Sequence, residues 1–260
     1  MIYTIGGIKG GSGKTTVATN WTVLLSASGR DVILVDADDQ ETATDFTAWR
    51  NERMGGNAGY TAIQLREHAV RTEVMKLKDK YDDIVIDTGG RDTASQRAAL
   101  TVADVYLIPF IPRSFDVWTV EKVETLIDEI RVVNPDLKAF AFLNRADPRG
   151  TDNAEATECL QESPAFSFLF APLGNRKAFS NAAAQGMGVT EIKPRDRKAV
   201  TELKTLFKQC AEAIQPSPDN VKNQAWTERS ERLKKGVKSW QSPENPNEKH
   251  PHPQRARRTS

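Results

Sequence analysis

Ile8-Lys9-Gly10-Gly11-Ser12-Gly13-Lys14-Thr15-Thr16 is the stretch on which the reading of this chain turns. It follows a short apolar run over residues 1–6 and opens a helical pattern over 13–27, so a glycine-rich turn and a helix N-terminus fall where a strand stops. A triphosphate is the ligand this arrangement suits. Gly10, Gly11 and Gly13 let backbone N–H groups face phosphate oxygens with no Cβ in the way, Ser12 and Thr16 lie within the same turn, and the helix dipole adds a favourable field. Lys14 is expected to reach the β- and γ-phosphates, and the Thr15 hydroxyl to take a position on Mg²⁺. The strict phosphate-loop pattern asks for a glycine where Ile8 stands. This chain places a lysine, Lys9, at the next position instead.

Outward from that loop, apolar runs at 31–35, 83–86, 104–111, 138–143 and 166–171 alternate with helix-length segments at 40–53, 67–80, 93–102 and 115–133. Such alternation predicts an α/β fold, a doubly wound and mostly parallel sheet flanked by helices. A last helix is expected over 196–214, capped by Asp196, with Val200, Leu203, Leu206, Phe207 and Ala211 on one face. The chain of 260 residues, 38% hydrophobic and 27% charged with a formal charge of +1, has room for one such domain and an appendage, drawn here as 1–215 and 216–260. From Pro216 onward ten Lys or Arg face five acids, so the tail carries +5 and the body −4.

The two cysteines, Cys159 and Cys210, have no metal-ligand spacing and read as reduced, partly buried thiols. No basic leader precedes the first apolar run, and no stretch approaches 18 apolar residues. A cytoplasmic protein that does not span a membrane is expected.

The run from Lys9 to Thr16 resembles the deviant phosphate loop of the ParA/MinD family of positioning ATPases, and the resemblance extends over roughly residues 1–214. It implies ATP with Mg²⁺ as ligand and a nucleotide-sandwiched homodimer. In that family the early lysine, here Lys9, reaches the phosphates bound by the other subunit, a charge delivered in trans as an arginine finger is.

Two acidic stations complete the expected site. Val35-Asp36-Ala37-Asp38-Asp39-Gln40 is similar to the family's D-x-D-P-Q switch, with Asp39 where proline is common; the resemblance puts Asp36 near the attacking water and Mg²⁺ and Asp38 close behind it. Read by itself, the segment also fits a solvated acidic loop at a strand end. The run 84–86 ends in Asp87-Thr88-Gly89-Gly90, an apolar strand finishing in an acid that holds Mg²⁺ through water, followed by two glycines able to change conformation with the γ-phosphate where many relatives carry prolines. For the base, Asn144 directly follows the strand at 138–143 and offers a donor and an acceptor to adenine, or is an ordinary strand-end amide. Pro172-Leu173-Gly174-Asn175-Arg176 resembles a later family loop beside adenine that precedes a helix, which adds Pro172 and Arg176 to the candidates.

A slow, dimerisation-gated ATPase is a switch whose output is a binding event. Lys193, Arg195, Arg197, Lys198, Lys204 and Lys208 suit the phosphates of nonspecific DNA, the family's usual target alongside membranes and a stimulating partner protein; as a solvated helix face they would bind nothing. In the tail, Trp226, Ser230, Leu233, Val237 and Trp240 form one face of a short helix interrupted by Gly236, which suits a membrane surface, a partner, DNA or its own domain. Past Gln241 the composition reads as disordered, with His250 and His252 solvated. The expectation is a ParA-like partition or positioning ATPase acting on plasmid, chromosome or protein cargo. A MinD-like or MipZ-like division-site regulator is the alternative, and a metabolic phosphate-loop enzyme resembling dethiobiotin synthetase or nitrogenase iron protein is disfavoured because no cysteine pair suits a bridged cluster.

Overall fold

A computed structural model describes residues 1–114, 116–147 and 151–215. Residues 1–214 form one compact unit. The tail beyond it, with Trp226, Trp240, His250 and His252, lies outside the described residues.

The strands are β1 (Ile2–Ile5), β2 (Val32–Ala37), β3 (Thr61–Gln64), β4 (Asp83–Thr88), β5 (Val105–Phe110), β6 (Lys138–Ala146), β7 (Ser167–Phe168) and β8 (Leu173–Gly174). They form a sheet in the order β3-β2-β4-β1-β5-β6-β7, with β8 beside the far end of β6, and every pairing is parallel. The helices are α1 (Lys14–Ala27), α2 (Thr42–Arg53), α3 (His68–Leu77), α4 (Ala94–Leu100), α5 (Val117–Arg131), α6 (Asp152–Gln161), α7 (Lys177–Ala183) and α8 (Arg197–Ile214).

Full burial of β1, β2, β4 and β5 follows from their unbroken apolar runs, which only a sheet covered on both faces can hide. Alternate side chains therefore serve two cores. Ile33, Val35, Ile84 and Ile86 meet Val70, Val74, Leu100, Val123, Ile127 and Leu160 under α3, α4, α5 and α6. Val32, Leu34 and Val85 meet Val17, Trp21, Leu25, Ala43, Phe179, Leu203 and Leu206 under α1, α2, α7 and α8. Each fully buried aliphatic or aromatic side chain contributes roughly 1.5–3 kcal/mol relative to exposure.

Four elements differ from the sequence expectation. The strand expected over 166–171 forms only at Ser167–Phe168, as β7; the chain pairs with β6 again at β8, beyond the expected run and past Pro172, which has no N–H to donate to a ladder. Strand β3 was not anticipated; it is four residues long, lies at the sheet edge and is mostly exposed, so it carries no apolar signature. Neither was α6, whose buried contribution is only Ala156 and Leu160. On α8 the buried stripe is Ala199, Leu203, Leu206 and Cys210, while Ala211 is exposed. Asp196 caps this helix as expected, its Oδ1 accepting from the N–H groups of Lys198 and Ala199 at 3.0 and 3.1 Å. Burial pushes the Cys210 thiol up to about 12 and raises that of Cys159, so neither is reactive at neutral pH.

Candidate functional site

The sheet changes winding direction at β1, which lies between β4 and β5. In open parallel sheets the crevice beyond the carboxyl ends of the strands at such a point receives ligands. The loop from Gly6 to Gly13 emerges there. It is pinned at its base by Gly6 N–H to Leu107 O at 3.1 Å and by Gly7 N–H to the buried Gln96 Oε1 at 3.3 Å. Gly13 starts α1 in the left-handed region, φ 86°, and no side chain caps the helix or places an acid in its first turn. An uncapped N-terminus of this kind presents N–H groups and positive potential to an anion.

The loop leaves no clearance on two sides. A Cβ on Gly13 would fall 2.4 Å from Asn144 Nδ2, and one on Gly90, in the loop after β4, would fall 2.6 Å from Gly10 Cα. The loop after β2 joins them, since a Cβ on Gly89 would lie 3.2 Å from Asp38 Oδ1. Three loops that the sequence separates by dozens of residues thus meet within contact distance.

Lys14 is buried and its Nζ donates to Lys9 O at 3.1 Å, folding the side chain back along its own loop. Burial lowers its pKa, opposed by the charges of Asp87 and Asp38. Lys9 itself is half-buried. Asp87 is fully buried at the end of β4, and among the described residues neither of its carboxylate oxygens accepts a hydrogen bond. Burial, with Asp36 and Asp38 adding to it, pushes the Asp87 carboxyl up to about 8, although the Thr15 hydroxyl and Lys14 oppose the rise. A buried, unpartnered carboxylate beside a threonine hydroxyl and a lysine fits a site for a hard cation that also binds phosphate oxygens. No group of three or more His, Cys, Asp or Glu able to hold a metal exists among the described residues, so a cation here would draw on the nucleotide for ligands.

Asp36 sits beside Asp87 in the β2–β4 register. Its Oδ2 accepts from both the N–H and the hydroxyl of Thr44, at 2.8 and 2.7 Å, and its Oδ1 from the Asp38 N–H at 3.2 Å. This carboxylate therefore also holds the first turn of α2. Arg66, which the sequence reading did not single out, ties the same loop down: Nη1 donates to Asp36 O at 2.7 Å, and the guanidinium pairs with Asp39 and Glu41, each at 3.3 Å.

On the other flank of α1 lies a cleft of about 350 Å³ lined by Thr16, Asn144, Arg145, Arg176 and Phe179, among others. Its volume suits a nucleoside. Two candidate base-site residues, Asn144 and Arg176, meet here; Pro172 is exposed and does not line it. The Asn144 amide is engaged within the protein, Nδ2 donating to Ser12 O at 2.7 Å and Oδ1 accepting from Arg145 N–H at 3.0 Å, so it props the phosphate loop from beneath. Arg176 forms a two-point ion pair with Glu202 of α8, at 2.5 and 2.8 Å. The neighbouring Arg145 was missed because what sets it apart is a backbone φ of 55° at a break in the β6–β8 register, which composition does not announce. Of the basic residues read as DNA contacts, Lys193, Arg195, Arg197, Lys198, Lys204 and Lys208 are all exposed, and Lys208 approaches Glu212 at 3.7 Å. No helix among the described residues is long and apolar enough to cross a membrane.

The chain is similar to proteins of one nucleotide-binding family. The family model described as the CobQ/CobB/MinD/ParA nucleotide binding domain matches residues 3–189. The maintenance of carboxysome distribution protein A of Halothiobacillus neapolitanus is 28% identical over 205 residues, covering 78% of this chain and 93% of that protein. Its counterpart from Gloeobacter kilaueensis is 31% identical over 212 residues, covering 79% and 90%. Among solved structures, a plasmid partition protein from Borrelia burgdorferi bound to AMPPNP superposes with a TM-score of 0.65 at 22% identity, over 82% of this chain and 98% of that one, a likeness of fold.

Proposed function

Because this chain belongs to the CobQ/CobB/MinD/ParA nucleotide-binding family, whose ParA/MinD branch comprises ATPases, we propose that it is a dimerising, Mg²⁺-dependent ATP switch that positions a large cargo by cycles of binding to nonspecific DNA. The observation that carries the reading is the phosphate loop: an uncapped α1 N-terminus, a buried Lys14, and a second lysine, Lys9, five residues upstream. Gly10, Gly11, Ser12, Gly13 and Thr16 wrap the phosphates, Lys14 exchanges the Lys9 carbonyl for a phosphate oxygen, and Thr15 and Asp87 hold the metal side of the site. When bound, Mg²⁺ would supply charge neutralisation for the phosphates. Asp36 and Asp38, at the end of β2, orient the attacking water. Lys9 of one protomer supplies its charge to the phosphates on the other, so hydrolysis waits for the dimer.

The named roles of the relatives, carboxysome distribution in two and plasmid partition in a third, support a cargo that is a large assembly, released when a partner protein stimulates hydrolysis. Exposed cations around the start of α8 favour DNA over a membrane as the surface the ATP form binds. The test is binding to nonspecific duplex DNA at low and high salt in the apo, ADP and nonhydrolysable-ATP states with Mg²⁺. ATP-dependent, salt-sensitive binding is expected; no binding in any state would transfer the role to a division-site regulator acting on membrane or a cytoskeletal protein.

A further inference from the structure

Residues 184–196 connect α7 to α8 and end in the cations Lys193 and Arg195, with Arg197 and Lys198 following on the first turn of α8. Upstream of those exposed charges the segment is fastened at two points, and each fastening runs to a helix that starts at the phosphate site.

The first is on α1. Val189 N–H donates to Asn20 Oδ1 at 2.8 Å, and Asn20 Nδ2 donates to Thr16 O at 2.8 Å, one turn from the phosphate loop. Gly188 lies against the same helix, since a Cβ there would stand 2.7 Å from Val23 Cγ1. The second is on α2. Arg50 pairs through both nitrogens with Glu191, Nη1–Oε2 2.7 Å and Nη2–Oε1 2.8 Å, and donates further to Ala58 O and Gly186 O. Glu191 Oε2 also accepts from Gly188 N–H at 2.8 Å, and a Cβ on Gly186 would sit 2.3 Å from Arg50 N. Burial acts against both charges, and their mutual hydrogen bonds overcome it, holding Glu191 below the usual glutamate range and Arg50 above its own.

Thr44, six residues before Arg50 and roughly 9 Å away along the helix axis, is held by Asp36 through both its N–H and its hydroxyl. A helix moves as a body, so a change in what Asp36 binds is felt at Arg50. The α1 fastening is fixed to the phosphate loop, while the α2 fastening follows the switch carboxylate; any relative movement of the two helices acts on the segment between them. We propose that the Arg50–Glu191 pair transmits the nucleotide state of the Asp36 loop to the basic segment 193–198, making both residues positioning residues for DNA binding. This rests on the reading that 193–198 meets duplex DNA. The two-point geometry suits the role, since a guanidinium spanning both carboxylate oxygens transmits rotation as well as translation.

The test is hydrogen–deuterium exchange on the full chain, with and without Mg²⁺ and a nonhydrolysable ATP analogue, read beside nucleotide affinity and duplex DNA binding. In wild type the nucleotide alters exchange across 186–198. Glu191→Gln is expected to cut that nucleotide-dependent change at least fivefold with nucleotide Kd within twofold, and Glu191→Asp to restore at least half of it. If Glu191→Gln does not fold, Arg50→Lys, which keeps the charge but cannot span both oxygens, carries the same expectation. A full nucleotide response in these variants, or none in wild type, overturns the link. Wild-type exchange coupling without DNA binding in any state upholds the link and removes DNA as its target; nucleotide-dependent DNA binding that Glu191→Gln leaves unchanged removes the link and preserves the DNA reading.

Discussion

Helices α1 and α8 begin in opposite ways. At the start of α8, Asp196 accepts two N–H groups, and nearby Arg176 and Glu202 satisfy one another at two points. At the start of α1 a left-handed glycine stands in the capping position with no side chain to accept, a buried lysine borrows a carbonyl of its own loop, and a buried carboxylate next door has no partner. Both regions are well packed and both are rich in charge. What separates them is completeness: the α8 end is finished by the protein, and the α1 end is left with polar groups that a ligand carrying negative charge together with a cation would satisfy.

Substitutions can break that contrast in order of expected effect. Lys14→Ala should weaken nucleotide binding at least 100-fold, about 2.7 kcal/mol, measured by titration calorimetry. Lys9→Ala should leave that affinity within a few-fold yet abolish hydrolysis that depends on protein concentration; normal turnover would sink the trans-lysine mechanism.

Asp87→Asn addresses the unpartnered carboxylate. Its carboxyl is pushed from 3.8 to about 8 in the folded chain, so folding favours the protonated form. The ligand-free protein therefore keeps this contribution below pH ~4 and loses stability as pH rises toward 8. The asparagine variant should flatten that slope, unfolding with roughly 1–3 kcal/mol more stability than wild type at pH 8 and no gain near pH 4, by denaturant titration. Loss of Mg²⁺-dependent nucleotide binding should accompany the gain. A variant equally destabilised at both pH values would mean that Asp87 is a satisfied structural acid.

Asp196→Ala should cost about 1 kcal/mol, the ordinary value of a helix cap, with nucleotide affinity unchanged. Lys76→Ala, which removes only an exposed pair with Glu73, should stay within about 0.5 kcal/mol by the same measurement.

The incomplete end was the legible one. Gly10, Gly11, Gly13, Lys14 and Thr15 sit in one short run whose chemistry follows from residue type and order, and the apolar runs of β1, β2, β4 and β5 announce a doubly covered parallel sheet. Of the complete end, helix α8 and its Asp196 cap were legible, but the ion pairs were not. Nothing local in the sequence pairs Arg50 with Glu191, Arg176 with Glu202 or Arg66 with Asp39, because ion-pair partners are chosen by the fold and an arginine in a sequence looks the same whether buried or solvated. Asn144 shows the intermediate case. The residue type suggested a contact to the base, and its position at the end of β6 places it in the cleft beside α1, but nothing in the sequence indicates that its amide is spent on the Ser12 carbonyl. Strand β3 and helix α6 escaped notice for a simpler reason, having too little buried surface to leave a period.

Gly90 meets Gly10 with no room for even a methyl group between them. The spacing between the two loops is thus set by hydrogen atoms, and any larger residue at 90 would act as a wedge with a defined thickness. Replacing Gly90 by alanine would gauge how far the phosphate loop can be prised from its neighbour before it stops recognising a ligand.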